Sequence, residues 1–207
     1  MKTRTPNSSV ATPVKSAVEK RHKGAGEVRI IGGEWRRTKL PVALKPGLRP
    51  TPDRVRETLF NWLGQSLIGW RCVDAFAGTG ALGLEAASRG AAHVQLCELD
   101  STLVEQLSTL VNRLHASNVH VLRTDGVACL RQLAAQSVDL IFIDPPFDSA
   151  LFEPALQASA KVVKNDGFVY FEAPVLWSQE QLTSIGFALH RHLKAGAVHA
   201  HLLRPIA

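Results

Sequence analysis

The sequence predicts an α/β fold built on a doubly wound, mostly parallel sheet with helices on both faces. A short apolar strand at 72–76 leads into the glycine turn Gly78-Thr79-Gly80 and then into a helix. Strand-like and helix-like segments alternate from there to residue 184, which is typical of a parallel sheet. The segment 138–143, VDLIFI, is almost continuously apolar, as expected for a strand buried on both faces. Two terminal strands joined at 194–196 make the last strand antiparallel.

Length and charge divide the chain into three parts. The 207 residues suffice for one sizeable domain with a short appendage. We expect a disordered basic tail at 1–26, a hairpin and helix appendage at 27–64, and the main domain at 65–207. Residues 1–58 contain 14 of the 24 Lys and Arg residues but 5 of the 18 Asp and Glu residues. This asymmetry favours a polyanionic partner, although a solvated tail without a partner would show the same charge.

Several classes of protein are disfavoured by composition. No apolar segment approaches the ~20 residues of a membrane span, and the N-terminus lacks the apolar core of a signal peptide. The three cysteines do not have metal-site spacing, and we expect the two that lie in apolar strand-like segments to be buried thiols in a reducing environment. We therefore predict a cytoplasmic protein with no membrane partner and no metal.

The appendage begins with a predicted hairpin. Residues 28–31 and 34–40 are interpreted as two strands around the turn Gly32-Gly33. Basic side chains beside an aromatic ring suit a nucleic-acid backbone and an unstacked base. The candidate RNA-binding residues are Arg29, Trp35, Arg36, Arg37 and Lys39. The alternative is a surface hairpin that only packs Trp35 onto the domain.

The appendage ends with a predicted helix. Thr51-Pro52-Asp53 is a helix start, in which Thr51 or Asp53 caps the helix and Pro52 occupies its first turn. Gly64 is expected to end it.

Polar residues end four successive strands of the main domain, where such sheets bind ligands: Asp74, Glu98, Asp125 and Asp144. Gly78 and Gly80 allow a tight turn and a close approach of the backbone to a ligand. Asp74 would repel a pyrophosphate but suits the cationic S-adenosylmethionine. The alternative is that Asp74 only hydrogen-bonds the turn.

The next two acids have a binding and a structural interpretation each. Glu98 follows Gly80 by 18 residues, close to the spacing of an acid that binds a ribose diol. It could instead cap the next helix together with Asp100, although Asp100 suits the cap better. Asp125 could accept a hydrogen bond from an adenine amine or cap the helix that follows it.

The tetrapeptide Asp144-Pro145-Pro146-Phe147 is the most specific motif in the chain. Two prolines fix the backbone and remove two donors, which leaves carbonyl and carboxylate acceptors. Acceptors gathered at one point suit a substrate amine, and Phe147 offers a face on which a flat base can stack. A plain turn after a strand is the alternative.

These motifs resemble the class I, Rossmann-like SAM-dependent methyltransferases, in which the [N/D]-P-P-[Y/F/W] motif marks enzymes that methylate exocyclic or amide nitrogens. Four segments are similar to the RsmD family of bacterial 16S rRNA guanine-N2 methyltransferases: VRIIGGEWRRTKLPV, GLRPTPDRVRETLFNWL, DAFAGTGALGLEAASRG and FIDPPF. The resemblance spans residue 28 to the C-terminus in organisation, but its specific motifs end at Phe147.

The resemblance implies seven strands in the order 3-2-1-4-5-7-6 and methylation of N2 of one guanine in 16S rRNA during small-subunit assembly. The partner would be 16S rRNA or an assembling 30S subunit, the target base would be flipped into the pocket, and we expect a monomer. The segment Arg49-Pro50-Thr51 matches a family segment near the cofactor, so Arg49 and Thr51 become candidate cofactor-binding residues.

Four other functions remain open from the sequence. An adenine-N6 methyltransferase of RNA or DNA uses the same tetrapeptide. A protein-glutamine methyltransferase normally shows Asn-Pro-Pro-Tyr, from which Asp144 and Phe147 depart. An NAD-dependent oxidoreductase leaves Asp74 and the tetrapeptide without a role. A non-catalytic RNA-binding protein would not need the acids at the strand ends.

Overall fold

A computed structural model of the chain describes residues 28–45 and 50–206. The predicted tail at 1–26 and the candidate residue Arg49 lie outside these ranges. The strands are Val28–Arg29 (β1), Lys39–Leu40 (β2), Arg71–Asp74 (β3), His93–Glu98 (β4), Val119–Arg123 (β5), Val138–Ile143 (β6), Val163–Ala173 (β7), Phe187–Ala195 (β8) and Val198–Pro205 (β9). The helices are Asp53–Trp62 (α1), Ala81–Ser88 (α2), Ser101–Arg113 (α3), Gly126–Gln132 (α4), Phe152–Val162 (α5) and Gln179–Ser184 (α6).

Strands β3 to β9 form one seven-stranded sheet in the order β5-β4-β3-β6-β7-β9-β8. Counted from β3 as the first strand, this is the predicted order 3-2-1-4-5-7-6. Strand β9 runs antiparallel to both of its neighbours, and the pairs among β3 to β7 are parallel. The predicted fold and its antiparallel last strand are therefore confirmed.

A hydrophobic core lies on each face of the sheet. Alternate side chains of β3 and β6 point to opposite faces, so that Cys72 and Phe142 enter one core and Val73 and Ile141 enter the other. Helices α1, α2 and α3 cover the first core together with the N-terminal hairpin, whereas α4, α5 and α6 cover the second. Within residues 28–45 and 50–206, no helix has both the length and the apolar character needed to span a membrane.

The predicted return strand at 34–40 is wrong over most of its length. Only β1 and β2 pair, with Val28 opposite Leu40, and residues 32–37 form turns. The Glu85 carboxylate of α2 accepts hydrogen bonds from the backbone N–H groups of Ile31 and Gly32, at 2.7 and 2.8 Å. These donors would otherwise extend the ladder, so a long-range contact with a buried acid shortens the hairpin.

The start of α1 also differs from the prediction, because neither Thr51 nor Asp53 caps it. Pro52 is the N-cap residue and makes no side-chain hydrogen bond to the helix. The Thr51 hydroxyl donates instead to Glu172 at 2.7 Å, and the Asp53 carboxylate pairs with Arg56 at 2.6 Å. A carboxylate and a guanidinium are stronger partners than a helix N–H, which explains the loss of the cap. The helix ends at Trp62, and Gly64 follows with a φ of 86°, as expected.

Candidate active site

The carboxyl edge of the sheet gathers acidic side chains from the central strands. Asp74 ends β3, Glu98 ends β4, Asp144 follows β6, and Glu172 lies one residue before the end of β7. Because β4, β3, β6 and β7 are consecutive in the sheet, these four carboxyl groups lie on neighbouring strands. The structure therefore brings together acids that are separated by up to 98 positions in the chain.

Asp74 is 1% exposed and only half satisfied. Its Oδ2 accepts a hydrogen bond from the Gly83 N–H at 3.0 Å, in the first turn of α2 and not in the glycine turn 78–80 that the structural alternative named. Its Oδ1 is sealed from solvent and has no hydrogen-bond partner among the described residues. Burial raises the pKa of Asp74 to about 7, and the carboxyl groups of Glu98 and Glu172 contribute to the rise. An unpaired buried carboxyl oxygen of this kind favours a cationic ligand.

The glycine turn lies beside Asp74. Gly78 and Gly80 have φ values of 52° and 77°, a backbone conformation that glycine adopts without strain. A Cβ at Gly80 would come within 2.6 Å of the Leu107 side chain, so this glycine also permits the close packing of α3. Thr79 between them is buried. The turn therefore presents bare backbone at the N-terminus of α2, as the sequence predicted.

Glu98 stabilises this turn through hydrogen bonds to the backbone. Its Oε2 accepts from the Gly78 N–H and its Oε1 from the Asp100 N–H, both at 2.9 Å. Asp100 caps α3 by accepting from the N–H groups of Thr102 and Leu103, which confirms the cap that the sequence favoured for it. Each Glu98 oxygen can still accept one further hydrogen bond. A ribose contact stays a prediction.

Asp125 takes the capping role that the sequence left open. Its Oδ1 accepts from the Ala128 N–H at 2.7 Å at the start of α4. Its Oδ2 has no hydrogen bond to any other residue within 28–45 or 50–206. Contact with an adenine amine is compatible with this cap but stays a prediction.

The turn Asp144-Pro145-Pro146-Phe147 keeps two acceptors available. The half-buried Asp144 carboxylate and the Pro145 carbonyl make no hydrogen bond with the described parts of the chain. The Pro146 carbonyl, in contrast, accepts from both the N–H and the hydroxyl of Ser149. Burial, followed by the nearby carboxyl groups of Glu172 and Asp74, raises the pKa of Asp144 well above its usual range. Phe147 is 37% exposed, so its ring is accessible to a flat ligand.

Glu172 is a site residue that the sequence analysis did not select. It is 3% exposed, and its Oε1 accepts hydrogen bonds from the hydroxyls of Thr51 and Tyr170, both at 2.7 Å. The signal was present, because a charged residue near the end of the apolar strand FVYFEA matches the pattern that selected Asp74. Thr51, which was selected through the family resemblance, is held at this edge by Glu172.

The basic hairpin lies away from these acids. The N–H of Glu34 donates to the Ser88 carbonyl at the C-terminal end of α2, whereas the glycine turn is at the other end of that helix. The cationic residues of the hairpin have exposed side chains: Arg29, Arg36, Arg37 and Lys39. Trp35 packs against the first core, as the structural alternative expected. The structure therefore does not bring the hairpin cations together with Asp144.

The described residues at this edge do not form a metal site. The segments 28–45 and 50–206 contain no group of three or more His, Cys, Asp or Glu side chains that could hold a metal ion. All three cysteines are buried free thiols, whereas the sequence predicted burial for two of them.

Comparisons with known proteins agree with the sequence resemblance. The sequence model of the family described as Conserved hypothetical protein 95 matches residues 28–204. The ribosomal RNA small subunit methyltransferase D of Escherichia coli is 41% identical over 182 residues, which cover 86% of this chain and 89% of that protein. The Haemophilus influenzae protein of the same name is 43% identical over 152 residues, covering 71% and 79% of the two chains.

A solved structure supports the same relationship. The structure of yhhF from Escherichia coli superimposes with a TM-score of 0.74 at 36% identity and covers 88% of this chain and 99% of that one. The family model begins at residue 28 and therefore includes the N-terminal hairpin. The chain therefore belongs to the RsmD family, that of the ribosomal RNA small subunit methyltransferase D proteins.

Proposed function

We propose that this protein transfers a methyl group from S-adenosylmethionine to the exocyclic N2 amine of one guanine in 16S rRNA. The observation that carries the proposal is a pair of free acceptors, the Asp144 carboxylate and the Pro145 carbonyl, close to the unsatisfied buried carboxyl of Asp74. The acceptors suit an amine that is to be methylated, and Asp74 suits a cationic methyl donor.

The residues at the carboxyl edge fit S-adenosylmethionine. Asp74 Oδ1 would bind a positive group of the cofactor. The bare backbone of the glycine turn at 78–80 would lie against the cofactor. Glu98 has acceptor capacity for the ribose, Asp125 for the adenine amine, and Thr51 and Arg49 complete the proposed contacts. When bound, the cofactor supplies an electrophilic methyl group on a sulfonium.

The protein's own groups prepare the amine for attack. The N2 lone pair of guanine is delocalised into the ring, so the free amine is a poor nucleophile. Asp144 and the Pro145 carbonyl each accept one N–H, which directs the lone pair toward the methyl group. Positioning of this kind can supply ~7–11 kcal/mol of the barrier.

The remaining steps concern charge and the base itself. Asp144 stabilises the positive charge that develops on the nitrogen, and the proton leaves to Asp144 or to water. Phe147 stacks on the flipped base. No group in this scheme needs a metal ion.

The RNA partner follows from the relatives and from charge. The relatives named above are small-subunit rRNA methyltransferases, and the N-terminal 58 residues of this chain are strongly basic. We infer that the partner is 16S rRNA or an assembling 30S subunit. In this proposal residues 65–207 form the catalytic unit, residues 27–64 an appendage on one face, and the active species is a monomer.

Methyl transfer from radiolabelled S-adenosylmethionine tests the proposal. The acceptors are naked 16S rRNA and 30S subunits from cells lacking the enzyme, and the product is digested to nucleosides. N2-methylguanosine is expected, and the better acceptor indicates the stage of assembly. Label in N6-methyladenosine, or in protein and not in RNA, would overturn the substrate.

A further inference from the structure

The Glu172 carboxyl group has no role in the mechanism above, although it lies beside Asp144, the proposed acceptor of the reacting amine. Ile143 of β6 pairs with Phe171 of β7, so Asp144 and Glu172 are the next residues on two neighbouring parallel strands. Such strands lie about 4.8 Å apart. Phe142 and Tyr170 enter the same core, and the alternation of side chains places Asp144 and Glu172 on that same face.

The surroundings of Glu172 fix one oxygen and leave the other available. The hydroxyls of Thr51 and Tyr170 both donate to Oε1. Oε2 receives no hydrogen bond from the described residues, and no Lys or Arg among them pairs with this carboxylate. Thr51 is itself positioned, because its carbonyl accepts from the Arg56 Nε–H at 3.1 Å. A buried acid that is oriented by two hydroxyls but lacks a cation is suited to accept hydrogen bonds from a ligand.

The electrostatics of Asp144 agree with the proximity of the two acids. After burial, Glu172 is the largest cause of the raised pKa of Asp144. The strand pairing places the two carboxyl groups side by side on one face at the strand ends, next to the space that a ligand would enter. A ligand that enters this space must offer several donors in a row to satisfy both.

Guanine offers such a row of donors. Its Watson–Crick edge carries the N1–H directly beside the N2 amine. Adenine, which has its amine at C6, presents an N1 lone pair at the neighbouring position. We propose that Glu172 selects guanine by accepting the N1–H while Asp144 and Pro145 hold the N2 amine. This inference rests on the proposed function, since it presumes that the amine at Asp144 is N2 of guanine.

Rejection of other purines follows from the same geometry. A base with a lone pair at N1 would place an acceptor against the ionised Glu172 carboxylate, which has no proton to donate, and neither group could then be satisfied. Sites built to bind a substrate N–H reject analogues that lack it far more strongly than apolar pockets reject a missing methylene.

A base analogue separates this role from the chemistry of the amine. The acceptor is 16S rRNA assembled by ligation, with the methylated guanine replaced by 2-aminopurine. That base keeps the 2-amino group but has a lone pair at N1 and lacks O6. For the wild-type protein we expect kcat/KM to be about 100-fold lower with 2-aminopurine than with guanine. In Glu172→Gln, whose amide can donate to N1, the preference should fall below about 10-fold.

Two further variants complete the experiment. Asp125→Asn makes the same carboxyl-to-amide change at the same sheet edge, and it should lower both rates alike and leave the preference unchanged. If Glu172→Gln does not fold, as judged by its circular dichroism spectrum, Tyr170→Phe replaces it. Loss of the Tyr170 hydroxyl loosens the carboxylate, so the preference should fall while the product stays the same.

The outcomes distinguish this inference from the function on which it rests. Equal use of the two bases by the wild-type protein, or an unchanged preference in a folded Glu172→Gln or in Tyr170→Phe, would overturn the role of Glu172. If N2-methylguanosine still formed, the proposed function would stand. Failure to form N2-methylguanosine in any acceptor would overturn both.

Discussion

At the scale of single residues, Asp74 is held in surroundings that disfavour its charge. Its pKa is raised to about 7, chiefly by burial, and one of its oxygens has no hydrogen-bond partner in the described parts of the chain. A cationic cofactor would bind the ionised form. The affinity for S-adenosylmethionine should therefore rise with pH through 7 and become constant above pH 8. We expect about 10-fold weaker binding at pH 6 than at pH 8, measured by titration calorimetry.

The variant Asp74→Asn provides the control for this pH dependence. It cannot ionise, so its binding should be weak and nearly independent of pH between 6 and 8. A wild-type protein with a flat profile would show that the charge of Asp74 does not take part in binding.

Asp74 also affects the stability of the cofactor-free protein. Its pKa in the folded state lies above the ordinary value of 3.8, so the folded protein binds more protons than the unfolded chain between these values. The extra proton binding by Asp74 stabilises the folded protein at low pH, and this stabilisation is lost as the pH rises from about 4 to 7. At pH 8, Asp74→Asn should be more stable by about 1–3 kcal/mol, after the cost of burying an amide. Urea unfolding without cofactor measures it, and a less stable variant would contradict the argument.

Asp144 and Phe147 should affect turnover rather than cofactor binding. Asp144→Ala removes the amine acceptor and Phe147→Ala removes the stacking face, so kcat should fall by about 100-fold or more. The affinity for S-adenosylmethionine should change by less than about 3-fold, because neither residue is among the proposed cofactor ligands. Asp148→Ala, at the exposed neighbouring residue, is the matched control and should retain activity. Wild-type turnover in Asp144→Ala would refute the mechanism.

At the scale of elements, the errors of the sequence analysis share one physical cause. Gly32-Gly33 predicted a tight hairpin, and Thr51 predicted a helix cap. In both places a buried carboxylate from a distant part of the chain binds the donor: Glu85 takes the hairpin N–H groups, and Glu172 takes the Thr51 hydroxyl. Local patterns report local competition for hydrogen bonds, and they carry no information on an acceptor that lies more than 50 residues away.

The attachment of the hairpin to α2 can be tested through two glycines. Gly33 and Gly64 both have positive φ, at 73° and 86°, so alanine is strained at either position. At Gly33 a Cβ would also lie 1.8 Å from the Ser88 carbonyl oxygen, whereas at Gly64 it would meet nothing within 4 Å. Gly64→Ala should cost about 1–2 kcal/mol, the price of strain alone. Gly33→Ala should cost about 1–3 kcal/mol more, because the hairpin must move off the helix.

The free energy of unfolding in urea measures both costs. Equal losses of unfolding free energy in the two variants would show that the hairpin shifts to accommodate the added Cβ without losing its contacts with α2. In that case the hydrogen bonds of Glu85 to Ile31 and Gly32 would not fix its position.

At the scale of the whole molecule, the parallel sheet and the edge at which its polar strand ends lie were predictable because they depend on repeated local signals, whereas the strand order followed from the family resemblance. Alternating strands and helices predict a parallel sheet, and a parallel sheet predicts a site at its carboxyl edge. Asp74, Glu98 and Asp144 could be selected in this way. The hydrogen-bond partners of each acid could not be predicted, because they depend on which strands become neighbours and on the distance between those strands. Glu172 could have been selected by the same pattern, but its place beside Asp144 on the neighbouring strand could not be predicted.

The separation of the basic hairpin from the acidic edge also appears only at this scale. Arg36 and Arg37 lie on the layer of α1, α2 and α3, at the end of α2 opposite the glycine turn. If the RNA extends across this layer, Arg36→Glu with Arg37→Glu should weaken RNA binding at low salt. The slope of log K against log salt should become shallower by about 1.5, because two phosphate contacts are lost. Filter binding to 16S rRNA at salt concentrations between about 50 and 200 mM measures this slope.

The control makes the same change in net charge on the other layer. Arg131 of α4 and Lys161 of α5 are exposed and lie across the sheet from the hairpin. Arg131→Glu with Lys161→Glu should alter the long-range field equally but leave the salt slope nearly unchanged, since no phosphate contact is removed. If both pairs flattened the slope alike, net charge alone would account for RNA binding. If neither did, the hairpin would be only a scaffold, and the RNA would be held at the acidic edge by contacts to the flipped base.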